Sequence, residues 1–219
     1  MSAKSLIKSL DFFKSLDETQ IELLVDISTV KLYAKDTVFT YEKSETNQLI
    51  FLIDGLAKAY KIDKHENEIF LYYIHKDSLL SEISNLNDDL LYSFSNISFV
   101  DESRILSIDY LQFKNNFLKK NILNMEFSNE IILQSTKLQT LINREFIFDA
   151  VAKVAMMLSS DLDMFNKLKR HDISLMLHIQ PSTLSRVLNR LKRNSIIDIV
   201  QGKVSILNTK ELDLIFKEL

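Results

Sequence analysis

The chain has 219 residues, 46% of them hydrophobic and 26% charged, with a formal net charge of −3. No apolar run approaches the roughly 18–20 residues needed to span a bilayer, so the composition is that of a chain with a packed core and no membrane partner. Cys is absent, which excludes disulfides, thiolate-held iron–sulfur clusters and cysteine-ligated zinc.

Met1 to Leu16 reads as a short amphipathic helix without a signal-peptide apolar core, which places the expected location in the cytoplasm. The helical spacing of apolar residues runs over 5–27. From about Val30 to Ile108 it gives way to short runs of β-branched and aromatic residues. Leu49–Ile53 is a continuous apolar strand, and Asp54-Gly55 after it is a tight-turn signal. Leu56–Ile62 and Glu68–Ile74 flank the polar stretch Asp63-Lys64-His65-Glu66-Asn67, which predicts a hairpin. Ile97–Val100 and Arg104–Ile108 read as a final strand pair. Short strands at this spacing predict a roll or barrel.

After Asp109 the pattern becomes helical. Tyr110–Lys120 predicts a short helix, and 121–148 a long one. Phe127, Ile131, Gln134, Leu138, Leu141, Glu145 and Phe148 fall at intervals of four and three, a heptad seam that predicts homodimerisation. Packing of that helix on its own domain is the competing reading. Asp149–Leu158 is a further amphipathic helix, and 159–167 reads as a linker. The expected domains are 1–109, 110–148 and 149–219.

Charge is unevenly spread. Residues 1–148 carry 16 basic and 22 acidic side chains, a net of −6; residues 149–219 carry 11 and 8, a net of +3. A basic C-terminal segment on an acidic chain is the footprint of an attached nucleic-acid-binding module. Within it, His171–His178 forms a first helix. Ile179-Gln180 forms a turn, and a second helix starts with Pro181 at its first position, where a missing N–H costs nothing. On the second helix Leu184, Val187, Leu188 and Leu191 make an apolar stripe. Ser182, Ser185, Arg186 and Asn189 make the opposite one, with Thr183 beside them. Short hydrogen-bonding groups around one guanidinium suit a helix that enters the major groove, since Arg can bond guanine O6 and N7 together. Lys169 and Arg170 before the first helix, and Arg190, Lys192 and Arg193 after the stripe, suit phosphates, and His171 at the start of the first helix is a further candidate DNA contact. Ile196–Val200 and Lys203–Leu207, joined through Gln201-Gly202, read as a wing with Lys203 at its tip.

These residues resemble the helix-turn-helix of the CRP/FNR regulators, over Asp172–Leu191 and the Ile196-Ile197 and Gln201-Gly202-Lys203 that follow. The resemblance extends to Asp54–Tyr60, and to Leu79-Leu80-Ser81-Glu82 at the family's effector turn. It implies an α+β chain: an N-terminal cyclic-nucleotide-binding-like β-roll, a long dimerisation helix and a C-terminal winged helix-turn-helix. By the same resemblance Arg186 reads guanine, and Ser81 and Glu82 line the effector pocket. The implied partners are double-stranded DNA at a palindromic site, a second copy of the chain, and RNA polymerase. Ser185 matches the FNR branch. Pro181 and Ser182 depart from the pattern, and the family's usual Glu at position 182 is missing, so its usual half-site is not carried over.

The sensor departs further. The family's cyclic AMP pocket needs an Arg against the phosphate, yet the first Arg here is Arg104. No basic residue lies between Ser81 and Phe94, and Asp88-Asp89 add negative charge. A buried anion there would be uncompensated, so the effector is expected to be something other than cyclic AMP. Some cysteine-free family members respond to nitric oxide, in some cases through haem, for which His65 and His75 are the sensor-domain histidines. The alternative function is a cyclic-nucleotide-binding-like module with a protein-binding helical tail and no DNA role. No nucleophile–base pair, phosphate-cradling Gly loop or metal-ligand spacing points to an enzyme.

Overall fold

The computed structural model describes residues 2–217, which fold into two compact units that meet in the chain at Lys137–Leu138. The division falls inside the long helix, not at residues 148 and 149.

The first unit opens with α1 (Ala3–Ser9), a 3₁₀ turn and α2 (Glu18–Asp26). Asp17 begins α2 with a reciprocal cap: its carboxylate accepts from Gln20 N–H, and the Gln20 side chain accepts from Asp17 N–H. The strands follow as β1 (Ser28–Tyr33), β2 (Val38–Thr40), β3 (Glu45–Thr46), β4 (Gln48–Asp54), β5 (Leu56–Ile62), β6 (Glu68–His75), β7 (Ser78–Leu79), β8 (Leu91–Tyr92), β9 (Asn96–Phe99) and β10 (Ser103–Asp109). They form two four-stranded antiparallel sheets, ordered β1-β10-β4-β7 and β2-β9-β5-β6, with a short β3-β8 pair. This is the expected roll, with one correction. The segments read as a final strand pair are separated: β9 joins β2 and β5, whereas β10 joins β1 and β4. Cross-sheet pairing is decided by long-range packing, which local alternation does not encode.

Gly55 makes the β4–β5 turn feasible. Its φ is +98°, and a Cβ there would lie 2.3 Å from Ser103 Oγ and 2.7 Å from the Glu102 carbonyl. In the next hairpin the Asp63 carboxylate accepts from the backbone N–H groups of His65 and Asn67, so the turn is closed by its own side chain. The roll's main core gathers Phe12, Phe13 and Phe51, with ring centroids 4.8–5.2 Å apart, against Phe113, Phe117 and Phe127. Each such buried ring contributes about 1.5–3 kcal/mol of transfer free energy.

Next come α3 (Tyr110–Asn116), a 3₁₀ turn at Leu118–Lys120 and α4 (Asn124–Ile142), which ends in a π-helical turn, Asn143–Ile147. The predicted helical seam needs correction. Phe127 is only 3% exposed, within its own unit's core, and Ile131 packs against that core. Gln134 bonds its own roll: Nε2 donates to the Ser81 carbonyl at 2.8 Å, and Oε1 accepts from Ile83 N–H at 3.4 Å. Leu138 is exposed, Leu141 is half-buried, and Phe148 meets Phe216 edge-on. Glu145 is held within the second unit by Arg144, Lys153 and His178. A different face of α4 is open in the first unit, where Met125, Ser128, Ile132 and Ser135, also spaced by three and four, are exposed; in the second unit Gln139, Ile142 and Phe146 are exposed.

The second unit contains α5 (Ala150–Ser160), α6 (Leu162–Lys167), α7 (Arg170–Met176), α8 (Pro181–Arg193), the hairpin β11 (Ile197–Val200) and β12 (Lys203–Ile206), and α9 (Thr209–Lys217). The stretch read as a linker is thus helical, because Asp161 caps it by accepting from Met164 N–H. Val154, Leu158, Phe165, Ile173, Leu184, Val187, Leu188, Leu191 and Ile197 make one core. Among the described residues no helix is long and apolar enough to cross a membrane.

Candidate nucleic-acid interface and effector turn

The second helix forms as its sequence dictates. Pro181 starts α8, Leu184, Val187, Leu188 and Leu191 are buried, and Ser182, Ser185, Arg186, Asn189 and Arg190 are exposed on the other side. Thr183 is half-buried. Among the described residues the side chains of Arg186, Arg190, Lys169 and Lys203 have no hydrogen-bond or ion-pair partner, so these cations are available to a ligand. Ser185 is partly engaged: its hydroxyl donates to the Pro181 carbonyl at 3.1 Å, which leaves its lone pairs as acceptors. The turn before α8 is made by His178 at φ +50°, with Ile179 N–H bonded to the Ser174 carbonyl. His171 is exposed at the start of α7.

The wing is a two-residue hairpin with both central residues left-handed, Gln201 at φ +50° and Gly202 at φ +81°. Such turns match the twist of paired strands. Asn166 anchors it: its side-chain amide donates to the Val204 carbonyl at 2.9 Å and accepts from Val204 N–H at 2.8 Å. Lys203 is exposed beside the turn.

Two cations assigned to phosphate serve the domain itself. Arg170 stacks its guanidinium 4.6 Å from the Phe165 ring centroid and donates from Nη2 to the Gly202 carbonyl at 2.7 Å. Burial disfavours its charge, and its Nη1 is buried with no partner among the described residues. It is a strut under the wing. Lys192 pairs with Asp198 at 2.9 Å and donates to the Ile199 carbonyl at 3.1 Å. Sequence reasoning missed both, since the partners lie up to 32 residues away.

In the roll, Ser81 and Glu82 are together in the turn after β7. Ser81 Oγ accepts from Ile50 N–H at 2.9 Å. The Glu82 carboxylate accepts from Phe94 N–H at 2.5 Å, Ser95 N–H at 3.2 Å and the Ser95 hydroxyl at 3.1 Å. Burial pushes the Glu82 carboxyl above the usual carboxylate range, although the bonds from Phe94 and Ser95 pull the other way. Gln134 on α4 grips Ser81 and Ile83, so α4 holds the turn on both sides of Glu82. His65 and His75 are both exposed, one in a turn and one at the end of β6. That exposure does not fit an enclosed haem. Among the described residues no group of three or more His, Asp or Glu is placed to hold a metal ion.

Residues 151–215 match the family described as the Crp-like helix-turn-helix domain. No curated protein matches the chain. Among solved structures, the chain is similar to FixK2 from Bradyrhizobium japonicum at 13% identity and TM-score 0.67, covering 87% of this chain and 98% of that one. It is similar to a CooA variant from Carboxydothermus hydrogenoformans at 18% identity and TM-score 0.67, covering 93% of each. A putative transcriptional regulator of the CRP/FNR family from Eubacterium rectale shares the fold at 17% identity and TM-score 0.63, covering 94% and 97%. The roll, long helix and winged domain therefore follow the fold of CRP/FNR regulators, and the C-terminal domain is Crp-like.

Proposed function

We propose that this chain is a transcription regulator of the CRP/FNR type that reads double-stranded DNA through α8. The observation that carries the reading is the exposed stripe Ser182, Ser185, Arg186 and Asn189, whose guanidinium is unclaimed by its own domain while the opposite stripe is buried. Arg186 sits in the second turn of α8, where a bidentate guanine contact is worth about 1–3 kcal/mol. Arg190, Lys169 and Lys203 flank it and supply phosphate contacts.

Two copies associate along the long helix, with the exposed Ile132 of the first unit and the exposed Phe146 of the second each offered to the partner copy. Two-fold symmetry then calls for a palindrome whose half-sites lie about one DNA turn apart, roughly 34 Å. In this reading RNA polymerase is the partner that converts promoter binding into altered transcription. The effector is not cyclic AMP, in keeping with the carboxylate at the centre of the effector turn.

The test is fluorescence anisotropy with a duplex selected from a random library, compared with a scrambled duplex over a salt series. Specific binding with a steep negative salt slope is expected. Equal, salt-independent affinity for both duplexes would overturn the reading and favour a protein-binding tail.

A further inference from the structure

Two consecutive backbone N–H groups and a serine hydroxyl aimed at the two oxygens of one carboxylate make an oxyanion cradle, because their dipoles add and none needs to reorganise. In the roll, Phe94 N–H, Ser95 N–H and Ser95 Oγ–H make this arrangement. Ser95 is 1% exposed, so its donors have no water to fall back on. The anion they hold belongs to the chain.

We propose that Glu82 is an internal anionic ligand: its carboxylate fills the roll's oxyanion cradle and so holds the effector turn in its α4-bound form without any external effector. Glu82 directly follows Ser81, whose carbonyl takes the Gln134 amide, and directly precedes Ile83, whose N–H bonds the same side chain. Seating the carboxylate therefore fixes the two peptide groups that α4 grips. Ser81 Oγ ties the same turn to β4 through Ile50 N–H. A free oxyanion is excluded while Glu82 is seated, by both occupancy and like charge. Lys61, whose charge acts on the carboxylate, is itself paired with Glu42 at 2.6 Å.

The bland account is that Glu82 only closes a loop, in which case the donors would not form a site that accepts a separate anion. The two accounts differ once the tether is cut. Glu82→Ala empties the cradle and leaves room for a small carboxylate. Formate, titrated against chloride at constant ionic strength, is expected to raise the melting temperature of Glu82→Ala saturably. At ten times its dissociation constant it multiplies the folded-to-unfolded ratio about eleven-fold, an upward shift of roughly 3–6 °C. The wild-type protein and Glu82→Gln, whose cradles are filled, should show no formate-specific shift, and calorimetry should detect no cyclic AMP binding to wild type.

If Glu82→Ala is unfolded in chloride, the same titration reads the recovery of folded signal. Recovery with formate supports the proposal. An Ala variant that ignores formate in either assay, or a wild-type protein that responds equally, overturns it. None of these readouts involves DNA, so the result stands apart from the DNA-binding reading.

Discussion

His178 Nδ1 lies 2.7 Å from Glu145 Oε2, joining the turn between α7 and α8 to the π-helical turn that ends α4. Arg144 Nε is 2.7 Å from the other Glu145 oxygen, and Lys153 Nζ is 3.8 Å from Oε2. Burial raises the carboxyl pKa of Glu145, but the bonds from His178 and Arg144 together outweigh it and hold the group below the usual carboxylate range. A depressed folded-state pKa gives stability that is present above the unfolded value and is lost as pH falls through the folded one. Glu145→Gln should therefore lower stability at neutral pH by about 1 kcal/mol, roughly 2–4 °C in melting temperature, and should matter less as the medium becomes acid. Melting curves of both proteins from pH 7 down to about pH 3, below the carboxylate reference value, check this. Parallel curves would show that the cluster is electrostatically idle.

The two glycines in the chain should respond differently to Ala. Both have positive φ, but a Cβ at Gly55 meets Ser103 and the Glu102 backbone, whereas one at Gly202 meets nothing within 4 Å. Gly202→Ala bears only the left-handed backbone cost, about 1–2 kcal/mol. Gly55→Ala bears that cost and a backbone clash, so its urea midpoint should fall further. Equal midpoints would mean that the β4–β5 turn relaxes freely.

The long helix makes a prediction about assembly. Ile132 is 61% and Phe146 82% exposed, and each can take Glu without disturbing its own unit. Ile132→Glu and Phe146→Glu should yield folded monomers by sedimentation at concentrations where the wild type is dimeric, because an unpaired carboxylate would be buried at the interface. Phe127→Glu should instead unfold the first unit, since Phe127 is 3% exposed in its core. A wild type that is monomeric at tens of micromolar removes the dimer from the proposed function.

What could be read from sequence was local. The α8 stripes follow from side chains three and four apart, and the wing from Gln201-Gly202 between two apolar runs. The α4 face was less legible, because two seven-residue repeats run along the same helix. Phe127-Ile131-Gln134 and Met125-Ser128-Ile132 have the same kind of spacing, and the more apolar one packs on its own roll. Period alone does not say which side is covered. The roles of Arg170 and Lys192 were hidden for a related reason. A basic residue near a recognition helix looks alike whether it meets phosphate or a carbonyl of the wing, and the Gly202 carbonyl is brought to Arg170 by folding. The cradle around Glu82 needed Ser95, 13 residues away, for which no spacing rule exists.

Three arginine and lysine substitutions should separate recognition, positioning and phosphate contact. Arg186 is exposed and has no partner among the described residues, so Arg186→Ala should leave the melting temperature unchanged. It should cost roughly 1–3 kcal/mol of discrimination per half-site, or about 2–6 kcal/mol for a symmetric dimer whose halves act independently. Lys203 is also exposed, but on the wing. Lys203→Ala should weaken selected and scrambled duplexes alike and reduce the salt slope by about one per half-site. Arg170 carries the Phe165 stack and the bond to the Gly202 carbonyl, so Arg170→Ala should first lower stability. Its loss of DNA affinity should follow from a loosened wing and should be recovered in part at low temperature, where the fold is restored. Binding curves for all three variants on both duplexes, at several salt concentrations and after melting curves on each, distinguish the roles. If Arg186→Ala keeps the wild-type ratio of selected to scrambled affinity, guanine is not read by Arg186. If Arg170→Ala melts like wild type while losing salt slope, Arg170 is a phosphate contact after all, and the strut under the wing is not what holds Gly202 in place.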